Sequence, residues 1–67
     1  MKELDTVELG AASGRWPAGT VGTVLELFDS AALIEVSDER GHAVDFLTLP
    51  LDVLRVVDTA AQETLGV

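Results

Sequence analysis

Along this chain, short runs of apolar and β-branched residues alternate with clusters of Gly, Pro, Asp and Ser. That spacing predicts short strands joined by turns, an all-β unit. The first run covers residues 4–9, ends at Gly10 and passes into a long loop, residues 11–19. The second covers residues 20–28, and Asp29-Ser30 turns it tightly into a third, Ala31 to Ser37. In that third run the two-residue period places Ala32, Ile34 and Val36 on one face and Leu33, Glu35 and Ser37 on the other. Asp38-Glu39-Arg40-Gly41 is the next turn, with Gly41 placed for a positive φ. The fourth run, residues 43–49, stops at Pro50, which lacks the N–H a ladder uses. Leu51-Asp52 predicts a short 3₁₀ turn before a last run over residues 53–57.

One strand, a long loop, three strands in a meander, a tight turn and a closing strand make the order of a five-stranded SH3-like barrel. Residues 1–57 hold that barrel, and residues 58–67 form a C-terminal tail that is weakly helical at best. Leu51, Leu54 and Val57 also keep helical spacing, but Val53, Val56 and Val57 favour a strand and the barrel needs one to close it.

The segment Gly19-Thr20-Val21-Gly22-Thr23-Val24 carries the Gly-x-Val-Gly-Thr-Val pattern of many SH3-like and KOW-type barrels. Gly19 serves the turn into the strand. Gly22 is read as the site of a bulge, with Val21 and Val24 on either side of it both directed inward. Together with Leu4-Asp5-Thr6-Val7 and Phe46-Leu47-Thr48-Leu49-Pro50, the chain resembles the DUF4926 family of small bacterial proteins over residues 4–57. Thr20 stands where members of that family often carry an acid. The resemblance implies a stand-alone domain without a settled activity. It also implies a neighbouring gene product as partner, an arrangement that suits an antitoxin or immunity protein.

Composition changes this picture in two ways. Hydrophobic residues make up 48% of the 67 positions and the mean hydropathy is +0.34, more apolar material than a barrel this small can hide. Some of it is expected on the surface, where contiguous apolar area marks a protein partner or a second copy of the chain. Charge then narrows the partner. Twelve acidic residues against four basic ones leave a net charge of −8. A nucleic-acid phosphate backbone or an anionic membrane surface is a poor match for such a domain. A basic protein is the complementary partner, steered in by opposite charge; the same acids also serve simply to keep an apolar protein in solution.

Candidate chemistry is sparse. The chain has no Cys, no Tyr and one His, and its serines fall in or beside turns, so neither an enzyme, a metal site nor a cofactor is expected. No apolar run approaches membrane-spanning length and the N-terminal segment lacks an apolar signal core, which gives a cytoplasmic expectation. His42 reads as an exposed turn residue beside Asp38, Glu39 and Asp45, its alternative being a pH-sensitive or metal-touching position. The candidate partner-binding residues are Arg15, Trp16 and Pro17 of the long loop with Glu26, Glu35 and Asp45 of the meander. Trp and Arg dominate interface hot spots. Trp16 is either an interface knob or a cap on an open end of the barrel, and both hold if only one ring face is buried. Glu26, Glu35, Asp38, Glu39 and Asp45 are expected to make a negative patch on the meander, or merely its solvated face. Two function classes follow: a small acidic protein-binding module, and an assembly subunit that forms a homodimer or docks on a larger complex.

Overall fold

A computed structural model describes residues 1–57; the tail at 58–67 lies outside the described residues. Five strands form, β1 (Thr6–Leu9), β2 (Val21–Leu27), β3 (Ala31–Ser37), β4 (Ala43–Pro50) and β5 (Leu54–Val56), with a one-turn 3₁₀ helix at Leu51–Val53. They pair antiparallel in one sheet of order β4-β3-β2-β1-β5, the SH3-like barrel that the element order predicts. β1 pairs β2 on one side and β5 on the other, and the Val57 N–H donates to the Thr6 carbonyl at 2.8 Å.

The core follows from alternation. Cross-strand partners share a face of a sheet, so Val7, Gly22 and Val36 align, and so do Val24, Ile34 and Leu47. Val7, Leu9, Val24, Ala32, Ile34 and Val36 are buried on this inner face. Trp16 from the long loop, Leu27, Leu47 and Leu49 from β2 and β4, and Leu51 and Leu54 at the 3₁₀ turn pack around that centre half-buried. So small a centre draws on this surrounding ring to fill the interior.

Turn chemistry sets the corners. Gly41 adopts φ +83° beyond β3, where Asp38 Oδ1 accepts the N–H groups of Arg40 and His42 at 2.9 Å each. Gly19, at φ +92°, turns the long loop into β2, and Thr20 Oγ1 donates to the Pro17 carbonyl at 2.7 Å in the same corner. Pro50 ends β4, and the Leu51 N–H reaches the Ser30 carbonyl at 3.0 Å.

Besides one-residue shifts at the ends of β2, β4 and β5, three departures from the sequence reading stand out. Leu4 precedes β1 in a turn at φ +70°, held by Asp5, whose carboxylate accepts the Lys2 N–H at 3.0 Å and whose own N–H donates to the Lys2 carbonyl at 3.2 Å. Val53 belongs to the 3₁₀ turn and not to the closing strand. The bulge of β2 falls at Leu25, where the register with β3 shifts between Val24 and Glu26, and not at Gly22. Val21 accordingly shares a face with Thr23 and is half exposed, while Val24 is buried.

Gly22 serves a different purpose. It faces inward opposite Val36, and a Cβ there would lie 2.9 Å from the Glu35 carbonyl oxygen and 3.4 Å from Ile34 Cδ1. A backbone oxygen in a paired central strand cannot swing aside as a side-chain tip can. Gly22→Ala is therefore expected to lower the unfolding free energy by about 1–3 kcal/mol, the cost of overpacking a filled core. Urea denaturation followed by Trp16 fluorescence reads this as a lower midpoint with an unchanged slope.

Candidate functional site

The long loop between β1 and β2 folds back on itself before it reaches the sheet. Ser13 and Trp16 exchange both backbone hydrogen bonds at 2.8 Å, a small closed turn around Gly14 at φ +53°. This presents Arg15 and Trp16 together toward the start of β4. The Trp16 Nε1–H donates to Asp45 Oδ2 at 2.7 Å, and the ring packs against the buried cluster. The Arg15 guanidinium stacks on the indole with its carbon 4.8 Å from the ring centroid. Its NH2 group donates to the Val44 carbonyl at 3.3 Å, and its Nε stands 3.7 Å from Asp45 Oδ2. Trp16 is thus a core cap fastened to β4, while the Arg15 side chain stays 66% exposed and Pro17 is exposed beside it.

Asp45 does not join the acidic patch. It opposes Val36 and shares its face with Leu47 and Leu49, so its carboxylate turns toward the loop and away from Glu26 and Glu35. Alternation within β4 already carries that signal, since 45, 47 and 49 have the same parity. The carboxylate accepts the Trp16 indole N–H and, through Oδ1, the Phe46 N–H at 2.8 Å. These two hydrogen bonds, the indole's first, hold the Asp45 carboxyl below its ordinary value. Desolvation opposes them, and the Arg15 charge adds a smaller effect in the same direction as the hydrogen bonds.

Glu26 and Glu35 do come together, on the outer face of the β2–β3–β4 meander. There Glu35 is the direct partner of both Thr23 and Phe46, and Glu26 pairs with Leu33, which pairs with Thr48. Phe46 is 57% exposed and Val21 50% exposed on this same face. The acids therefore stand among apolar side chains rather than in a purely solvated stripe. Phe46 was not a candidate in the sequence, although its parity with Thr48 and opposite to Leu47 marks it as outward. Asp38 and Glu39 lie beyond the sheet in the β3–β4 turn, where His42 Nδ1 stands 3.8 Å from Asp38 Oδ2 and the imidazole is exposed.

An open groove of about 860 Å³ runs between the loop and that turn, lined by Arg15, Trp16 and Val44 on one side and residues 37–40 on the other. Ser37 connects it to the outer face, because its hydroxyl donates to Glu35 Oε1 at 3.1 Å. Elsewhere on the sheet, Arg55 of β5 pairs with Glu8 of β1. Among the described residues no group of three or more His, Asp or Glu is placed to hold a metal ion, and no helix is long and apolar enough to cross a membrane.

No family model matches the chain, and comparison with curated proteins and with solved structures gives no match.

The lowered Asp45 value has a measurable sign. A carboxylate whose folded-state value is depressed contributes stability that is present above the unfolded value, 3.8, and is lost as pH falls through the lower folded value. Acid titration of Trp16 fluorescence is expected to show this step below pH 3.8. Asp45→Asn removes the step, and a titration identical in the variant assigns it to other carboxylates.

Proposed function

We propose that this domain is a small acidic protein-binding module whose docking surface is the outer face of the β2–β3–β4 meander, continued over Ser37 into the Arg15–Trp16 groove. What carries the reading is the exposed Phe46 set directly opposite Glu35, with Leu33 and Glu26 as the neighbouring pair. An aromatic ring on a solvent face costs solubility and gains nothing for a core that already lies on the other side. Flanked by acids, it suits a partner that brings apolar and basic groups together, such as an amphipathic segment rich in Lys or Arg. The ring supplies contact area and the carboxylates select sign and register. The net charge of −8 adds long-range attraction for the same class of partner.

The resemblance to the DUF4926 family fits this reading, with a neighbouring basic protein as the natural partner of an antitoxin or immunity type. Among the four basic residues, Arg15 and Arg55 are drawn into contacts with Asp45 and Glu8, which leaves little positive charge to answer an acidic or nucleic-acid ligand.

Binding of an amphipathic Lys/Leu peptide, measured by fluorescence anisotropy, tests the surface against charge alone. Glu35→Lys and Phe46→Ser are each expected to weaken binding about tenfold or more, equivalent to roughly 1.4 kcal/mol. Asp52→Lys makes the same change in net charge on the exposed 3₁₀ turn and is expected to change affinity less than about twofold. Equal losses in Glu35→Lys and Asp52→Lys reduce the attraction to bulk charge and remove the case for this face.

A further inference from the structure

β4 is an edge strand of the sheet, with eight residues the longest strand, and Asp45 is its only charged side chain. The rest of it, Ala43, Val44, Phe46, Leu47, Thr48 and Leu49, is apolar or β-branched, the composition of a strand prone to pair with others. Its unpaired side can be read from the ladder. The Leu51 N–H bonds Ser30, so alternation sends the backbone groups of 45, 47 and 49 toward β3 and those of Phe46, Thr48 and Pro50 outward.

Much of that outward row is already stopped. The Phe46 N–H is taken by Asp45 Oδ1, the Val44 carbonyl accepts from Arg15, and Pro50 has no N–H to offer. A register shift between Val36 and Ser37 makes Val44 the extra residue of a bulge, which twists the start of the edge away. Among the described residues, what stays open between these stops is Thr48, with the Phe46 carbonyl beside it. The Trp16–Asp45 hydrogen bond holds the carboxylate and the loop in place over this edge.

We propose that the outer edge of β4 is a strand-pairing surface for the same edge of a second copy of this chain, and that Asp45, Arg15 and Trp16 form the latch that keeps it closed. A second copy is the occupant that the register of this strand suits. A chain of net charge −8 repels its copy overall, but along this strand Asp45 is the one acid. An antiparallel pair centred on Leu47 sets Phe46 of each copy opposite Thr48 of the other, an aromatic against a β-branched side chain on the outer face. In that register each Asp45 opposes a Leu49 and not the other Asp45, so no like charges meet. The pairing uses the Phe46 N–H that Asp45 now holds, which is why the latch excludes it.

The test compares oligomeric state at matched folding. Sedimentation velocity from about 10 to about 500 μM is run on the intact chain, on Asp45→Ala and on Trp16→Phe, which keeps an aromatic ring but loses the indole donor, with circular dichroism for each. The native chain is expected to sediment as a monomer where Asp45→Ala forms dimers, an increase in association of at least about tenfold. Adding Thr48→Pro to Asp45→Ala removes an outward N–H without touching the β3 ladder and is expected to restore the monomer. A folded Asp45→Ala that stays monomeric overturns the proposal, and so does association that Thr48→Pro leaves unchanged. Should Asp45→Ala fail to fold, Asp45→Asn keeps one carbonyl oxygen and decides the matter by amide exchange: a Phe46 N–H that exchanges at least about fivefold faster supports the latch, and an unaltered rate overturns it.

Discussion

The hydrogen bond from the Trp16 indole to the Asp45 carboxylate is the contact that fastens the long loop, and with it the candidate site, to the sheet. The domain's buried centre is the inner face of one sheet, supplied by Val7, Leu9, Val24, Ala32, Ile34 and Val36, with Trp16 of the long loop among the side chains packed against it. A loop from between the first two strands crosses to the fourth to place that side chain, and it must be held there against its own conformational entropy. Twenty-nine residues separate Trp16 from Asp45, so the bond fastens parts of the chain that no local propensity brings together. The fastening is also specific. Arg15 on one side of the ring and the Phe46 N–H on the other side of the carboxylate fix the geometry, and removing any of them loosens both the cap and the strand it caps.

Much of the fold could be read along the chain, because a sheet with one buried face writes its alternation into the sequence. β3 is the clearest instance. Its bounds, and the division of Ala32, Ile34 and Val36 from Leu33, Glu35 and Ser37, are visible in seven residues, as is the φ of Gly41 in the turn that follows. The position of the β2 bulge was not legible. A glycine looks like the natural place for one, but Gly22 is there because a Cβ would strike the Glu35 carbonyl, a fact that belongs to the neighbouring strand. The true shift, at Leu25, has no residue that advertises it.

The functional surface was legible in halves. Glu26 and Glu35 share an outer face as the alternation suggests, and Asp45 departs from them for a reason the same alternation contains, its parity with Leu47 and Leu49. Reading acids by type alone concealed this. Reading apolar residues by type alone concealed Phe46 in turn, since an aromatic ring in a run of Leu and Val looks like core until its parity is counted. The partner of Trp16 was out of reach, because nothing in a loop sequence says which strand it will cross.

One feature of the sheet bears on how such a unit can be carried. Thr6 and Val57 are joined by a hydrogen bond, so the start of β1 and the last described residue after β5 are neighbours in one strand pair. A sheet whose first and last strands lie side by side can be spliced at that seam into a surface loop without stretching either itself or its host. Here that seam is formed by β1 and β5, whereas Phe46 and the edge of β4 lie at the far side of the sheet order, so grafting through the seam leaves the presented face clear of the junction.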